Sequence, residues 1–167
     1  MLLVPQHISK YALYSACFCV FPNCIITYWF GYKIMSMIFG LLYVTTMLHW
    51  YKVQDGIIKK IDIGVALLTI YRLTCVERFR LLPVYQTYWL YIVGIMSASF
   101  IINEYVFYMQ VKVPCKTPRI LSILNYTCPD TPYREMACYG SVGRHICFIH
   151  LLPTITFGSF IILSNNL

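Results

Sequence analysis

A chain of 167 residues that is 59% hydrophobic and 17% aromatic, with only 11% charged residues, cannot clothe a water-soluble core in polar groups. The composition suits lipid as the solvent. The formal net charge of +7 raises nucleic acid as a partner, but Lys and Arg come singly or in pairs beside apolar runs and form no stripe or tail, which argues against it.

A helix rising 1.5 Å per residue needs about 20 mostly apolar residues to cross roughly 30 Å of hydrocarbon. The uncharged runs here are long and unbroken, not short alternating segments, so helices are expected and a transmembrane barrel is not. The first ten residues lack the basic start and small-residue cleavage site of a secretory signal. The first span is predicted at 11–30, with Pro22-Asn23 kinking it, and a turn at Gly31-Tyr32-Lys33 follows. The second, 34–51, closes on His49, Trp50, Tyr51 and Lys52, the aromatic and basic mixture of a headgroup belt. The third, 61–76, is short and holds Asp62 and Arg72, so it needs protein around it. The fourth, 81–103, is free of charge and continues past Glu104 toward Gln110. A polar segment, 112–144, precedes the fifth span at 146–164, which contains Pro153. The expected fold is therefore all-α: a polytopic helical membrane protein with about five transmembrane helices in one bundle and a single domain over 1–167.

With the N-terminus cytoplasmic, nine Lys and Arg fall on the inner side (Lys10, Lys52, Lys59, Lys60, Lys112, Lys116, Arg119, Arg134, Arg144) and three on the outer (Lys33, Arg78, Arg80). The bias predicts N-terminus in and C-terminus out. The sequon Asn125-Tyr126-Thr127 would be used only in the opposite orientation, and chance accounts for so short a pattern. Of eight cysteines, Cys17, Cys19, Cys24, Cys75 and Cys147 lie in or near spans, where Cys behaves as a small hydrophobe. A disulfide among Cys115, Cys128 and Cys138 would need an oxidising compartment, which the predicted orientation does not provide.

Ionisable groups inside spans cost a few kcal/mol on insertion scales, so His49, Asp62, Arg72, Glu104, His145 and His150 are the residues from which function is sought, with Thr45, Thr46 and Cys147 beside them. Counting crossings places the end of span two, the start of span three and the start of span five on one membrane face. His49, Asp62, His145 and His150 therefore converge there, whichever way the chain is inserted.

Thr45-x-x-x-His49, then Asp62 at the start of the next span, then a closing span with paired His resembles the membrane hydrolase superfamily of alkaline ceramidases, adiponectin receptors and post-GPI-attachment lipases. The resemblance implies a zinc ion held by His49, His145 and His150, Asp62 as general base, Thr45 as an auxiliary group, and a lipid amide or ester as substrate. Three imidazoles leave one open zinc position, where bound water ionises near neutral pH. The family's pattern has Ser where this chain has Thr45, and seven spans instead of five. Its final pair is His-x-x-x-His, whereas His145 and His150 are five apart, about 140° around an ideal helix instead of about 40°. Both can serve one ion only if His145 precedes the helix or a π-bulge intervenes. Cys147 and His150, at i and i+3, are an alternative metal-facing pair. The competing reading is structural: His49 an interfacial residue, His145 a loop residue beside Arg144, His150 a helix-to-helix hydrogen-bonding group, Asp62 paired with Lys59, Lys60 or Arg72, and Arg72 with Asp62, Glu77 or Glu104. The protein would then be a non-enzymatic subunit or scaffold of a larger membrane assembly or an enveloped particle, with membrane lipid and membrane proteins as partners. No phosphate-cradling glycine motif, HExxH, nucleophile elbow or repeated half is present.

Overall fold

The computed structural model describes residues 4–51, 53, 56–111 and 131–166; the calls on Lys52, Cys115, Cys128 and the Asn125 sequon lie outside them. The described chain is helical from end to end: α1 (Gln6–Ser15), a π turn (Ala16–Val20), α2 (Phe21–Trp29), α3 (Lys33–Tyr51), α4 (Ile57–Cys75), a 3-10 turn (Glu77–Arg80), α5 (Pro83–Val111), α6 (Thr131–His145), a second π turn (Ile146–Leu151) and α7 (Leu152–Asn165). The two π turns join their flanking helices into continuous rods, so five rods make the bundle. The chain is an all-α, multi-pass membrane protein.

Four rods are long and apolar enough to cross a bilayer: Gln6–Trp29, Lys33–Tyr51, Pro83–Phe107 and Glu135–Asn165. The remaining rod, α4, has 19 residues, four of them charged: Lys59, Lys60, Asp62 and Arg72. Register shows that it runs the depth of the bundle. Lys59 Nζ meets Glu104 Oε2 at 2.9 Å near one end, and Trp89 Nε1 donates to Thr74 Oγ1 at 3.2 Å near the other. These two contacts lie equally far apart on α4 and α5, which run antiparallel over about 22 Å. An independent check comes from the first and last rods. Ser15 meets His150, and Thr154 donates to the Cys19 carbonyl, both pairs being 135 residues apart, so the two rods run parallel. Parallel first and last rods require an odd number of reversing rods between them, and α3, α4 and α5 are three.

Local chemistry sets the boundaries. Gly31, at φ 79, ends α2: Tyr32 N–H donates to the Thr27 carbonyl at 2.8 Å and Gly31 N–H to the Tyr28 carbonyl, the paired bonds of a Schellman stop at the predicted turn. The structure corrects the polar segment most. Residues 131–144, part of the polar segment expected to precede the last span, form α6 and run without a break into that span. Cys138 and Val142, one turn apart, are buried in a cluster with Ile8, Ala12, Trp50 and Phe107. That apolar stripe is hidden among Arg, Glu, Gly and Tyr. The first rod likewise begins at Gln6, and α4 at Ile57, each several residues before its predicted start.

A second buried cluster fills the other half of the bundle, around Met35, Phe39, Leu73, Trp89, Phe157 and Ile161. Tyr85 stacks on Phe160 with centroids 4.9 Å apart, and Leu82 N–H donates to Ser164 Oγ, tying α5 to α7. In lipid such contacts stabilise by close packing and interhelical hydrogen bonds, not by removal from water. Large apolar residues such as Phe18, Met37 and Ile155 face outward, as lipid-facing positions should.

Candidate functional site

α3 and α4 pack tightly together and carry the first half of the site. Thr45 Oγ1 and Thr46 Oγ1 lie 3.0 and 2.9 Å from Asp62 Oδ1 and donate to it, so two adjacent hydroxyls of one helix fix the carboxylate of the next. All three residues are buried. His49, one turn beyond Thr45, is close enough to act on the Asp62 carboxyl electrostatically. Asp62 is thus held by two threonines, and the ion pairs with Lys59 or Arg72 that the sequence suggested are not its contacts. Lys59 pairs with Glu104, and Arg72 with Glu77.

The second half comes from the last rod. Pro153 has no N–H to give the Ile149 carbonyl, and its ring crowds that carbonyl. The backbone relaxes upstream into the π turn, where Leu152 N–H reaches back five residues to the Cys147 carbonyl. A five-residue turn brings positions i and i+5 onto one face. The His145 and His150 rings accordingly meet edge to face with centroids 4.8 Å apart. Cys147 points outward and is exposed, so it does not join His150 as a metal-facing pair.

Ser15, which the sequence did not single out, sets the chemistry of His150. Its Oγ lies 2.8 Å from the Ala12 carbonyl and 2.6 Å from His150 Nδ1. A hydroxyl that gives its proton to the Ala12 carbonyl accepts His150 Nδ1–H, and that tautomer keeps the imidazole lone pair on Nε2. An orienting hydrogen bond on the far ring nitrogen is what a ligating or basic histidine requires.

His49, Asp62, His145 and His150 all line one cavity of about 390 Å³, enclosed by all five rods and otherwise mostly apolar. The four residues that the crossing count put on one face thus line one cavity. Thr46 lines the cavity as well, whereas Thr45 stands behind Asp62 as its hydrogen-bond donor. The predicted metal set is only partly assembled. The Trp50 ring contacts both His49, at 5.2 Å, and His145, at 5.0 Å between ring centroids. Among the described residues no three His, Cys, Asp or Glu side chains form a group that could hold an ion as they stand. The donors fit zinc in kind, three imidazoles with one oriented by Ser15, and His145 and His150 fit in position. His49 lines the same cavity, and its ring packs on Trp50. On its α4–α5 side the cavity reaches the membrane: Leu67 and Ile101 line it and are 61% and 67% exposed.

No family model matches this sequence, and no curated protein or solved structure matches it.

Proposed function

We propose that this membrane protein is an intramembrane hydrolase of lipid amides or esters, zinc-dependent, with His49, His145 and His150 as the ligands. The observation that carries the reading is the π turn at Ile146–Leu151. It supplies the condition under which a pair five residues apart serves one centre, and it does so beside a carboxylate fixed by two hydroxyls in a mostly apolar cavity.

Zinc, when bound, makes hydroxide available near neutral pH. The chain's own groups do the rest. Thr45 and Thr46 hold Asp62 through Oδ1, leaving its other oxygen to take a proton from water, as a general base must. Thr45 is then a positioning residue. Ser15 holds His150 with Nε2 as its basic nitrogen. The opening past Leu67 and Ile101 admits an acyl chain from the bilayer, while the enclosing rods exclude bulk water. The excess of Lys and Arg on the side of the N-terminus puts that end in the cytoplasm.

Metal analysis of the purified chain tests the reading. About one zinc per chain is expected in the wild type, with loss in His49→Ala and His150→Ala, and fatty-acid release from a lipid amide or ester should fall in parallel. A wild-type chain that folds without zinc and releases no fatty acid would overturn it.

A further inference from the structure

Beyond the histidines, toward the far end of the cavity, lies a buried polar group that the proposed chemistry does not use. Asn23 is 2% exposed and lines the cavity. Its Nδ2 donates to Thr154 Oγ1 at 3.2 Å, and Thr154 Oγ1 donates to the Cys19 carbonyl at 3.1 Å. Because the single Thr154 proton is committed to a carbonyl, Thr154 can only accept from Asn23, which fixes the amide's orientation. Asn23 Oδ1 is then an acceptor, buried, with no hydrogen-bond partner. Leaving such a group unpaired costs about 1–3 kcal/mol, and more specific use is expected where the surroundings are apolar. Gly158 of α7 packs beside it, a Cβ there lying 3.5 Å from Oδ1, in ordinary contact.

Its height in the bundle is fixed by register. Thr154 lies four residues beyond His150, and Asn23 eight residues beyond Ser15, the partner of His150. The oxygen therefore sits about 6–12 Å past the histidines, at the rise of a helix. Phe39, Leu42, Leu73 and Trp89 line the cavity around that depth. An alkyl chain reaching in from the polar end would pass Asn23 partway along its length.

We infer that Asn23 Oδ1 is a specificity subsite that accepts a hydrogen bond from a hydroxyl carried on the hydrocarbon chain of the bound lipid. This rests on the reading of the cavity as a lipid site but not on zinc or on hydrolysis. A chain without a hydroxyl leaves the acceptor unpaired on binding; a chain with one at the right depth pairs it. Discrimination of about tenfold follows from one buried hydrogen bond of this kind.

The test is binding to the full chain, stripped of metal with chelator, in dodecylmaltoside micelles. Tritiated methyl octadecanoate is the tracer, and its monohydroxy isomers, with the hydroxyl stepped along the chain, are the competitors. One or two neighbouring positions should compete about tenfold better than the unsubstituted ester, and Asn23→Leu should flatten the series while keeping affinity for the unsubstituted ester. A series that is flat in the wild type overturns the inference, as does a peak that survives Asn23→Leu. If that variant does not fold, the wild-type series decides alone. Failure of the tracer itself to bind refutes the lipid reading of the cavity, whereas a flat series with good tracer binding refutes only the role of Asn23.

Discussion

A π turn is an α-helix with one residue more than its hydrogen bonds need, so removing one residue from Ile146–Leu151 should convert it to an ordinary turn. Cys147 is the residue to delete, because its side chain is exposed and packs nothing. After deletion the two histidines stand four apart, about 40° around the helix, still on one face. Everything downstream keeps its register: Phe157 against Trp89, Phe160 on Tyr85, Ser164 on Leu82 N–H. Deleting Ile155, equally exposed but in regular α-helix, instead turns the remainder of α7 by about 100°. Phe157 and Ile161, both fully buried, would leave the core, and the Ser164 bond would be lost. Core truncations of that size cost about 3–5 kcal/mol in soluble proteins, and an interhelical hydrogen bond in a membrane averages about 0.6. We expect the Ile155 deletion to lose at least about 3 kcal/mol and the Cys147 deletion less than about 1. Reversible unfolding in mixed micelles with increasing SDS measures both. Equal destabilisation by the two deletions would refute the account of the turn as a one-residue insertion.

Two further substitutions probe the polar contacts. Replacing Thr45 and Thr46 together by Val leaves Asp62 buried without its two hydroxyl donors and should cost about 2–4 kcal/mol by the same unfolding measurement, with each single change costing less than half; full additivity would show that the hydroxyls act separately. At the opposite end of the bundle, Glu77 is 3% exposed and binds both Arg72 at 2.9 Å and Arg80 at 3.4 Å, while Arg80 lies over the Tyr32 ring at 3.6 Å. Glu77→Ala should destabilise by about 3 kcal/mol, as expected when a buried partner of two guanidinium groups is removed, and a loss below about 1 would mean that water already solvates this end.

What was legible in the sequence was what local composition encodes. The end of α3 at Tyr51 was legible from the run His49-Trp50-Tyr51, although only Tyr51 faces outward while His49 and Trp50 are buried, and Gly31 marked its turn because no other residue takes that backbone freely. The 131–144 segment was illegible for the opposite reason. Its helix is held by Cys138 and Val142 against partners as far off in the chain as Ile8 and Ala12, and its polar majority reads as loop. The site divides the same way. His49, Asp62, His145 and His150 were found because charge in a span is costly and crossings can be counted. Ser15 and Asn23 were not, since an uncharged polar residue in a span carries no signal until the register of two parallel rods is known.

The two prolines explain why the polar centre lies where it does. Pro22 deprives the Phe18 carbonyl as Pro153 deprives that of Ile149, and in both rods the residue just before the proline reaches back five positions: Phe21 N–H to Ala16, Leu152 N–H to Cys147. The rods run parallel with Ser15 beside His150 and Cys19 beside Thr154, so the two π turns lie at one height and pack against each other. Irregular backbone exposes carbonyls, and in hydrocarbon these must find donors. The Cys19 carbonyl finds Thr154, across the rods. Once those groups are satisfied by the facing rod and not by lipid, the pair cannot slide or rotate without losing them. That fixed register is what brings Ser15 to His150 and sets His150 and His145 on the cavity that Asp62 of α4 also lines, so the two prolines, by disturbing their own rods, fix how those rods present their side chains to each other.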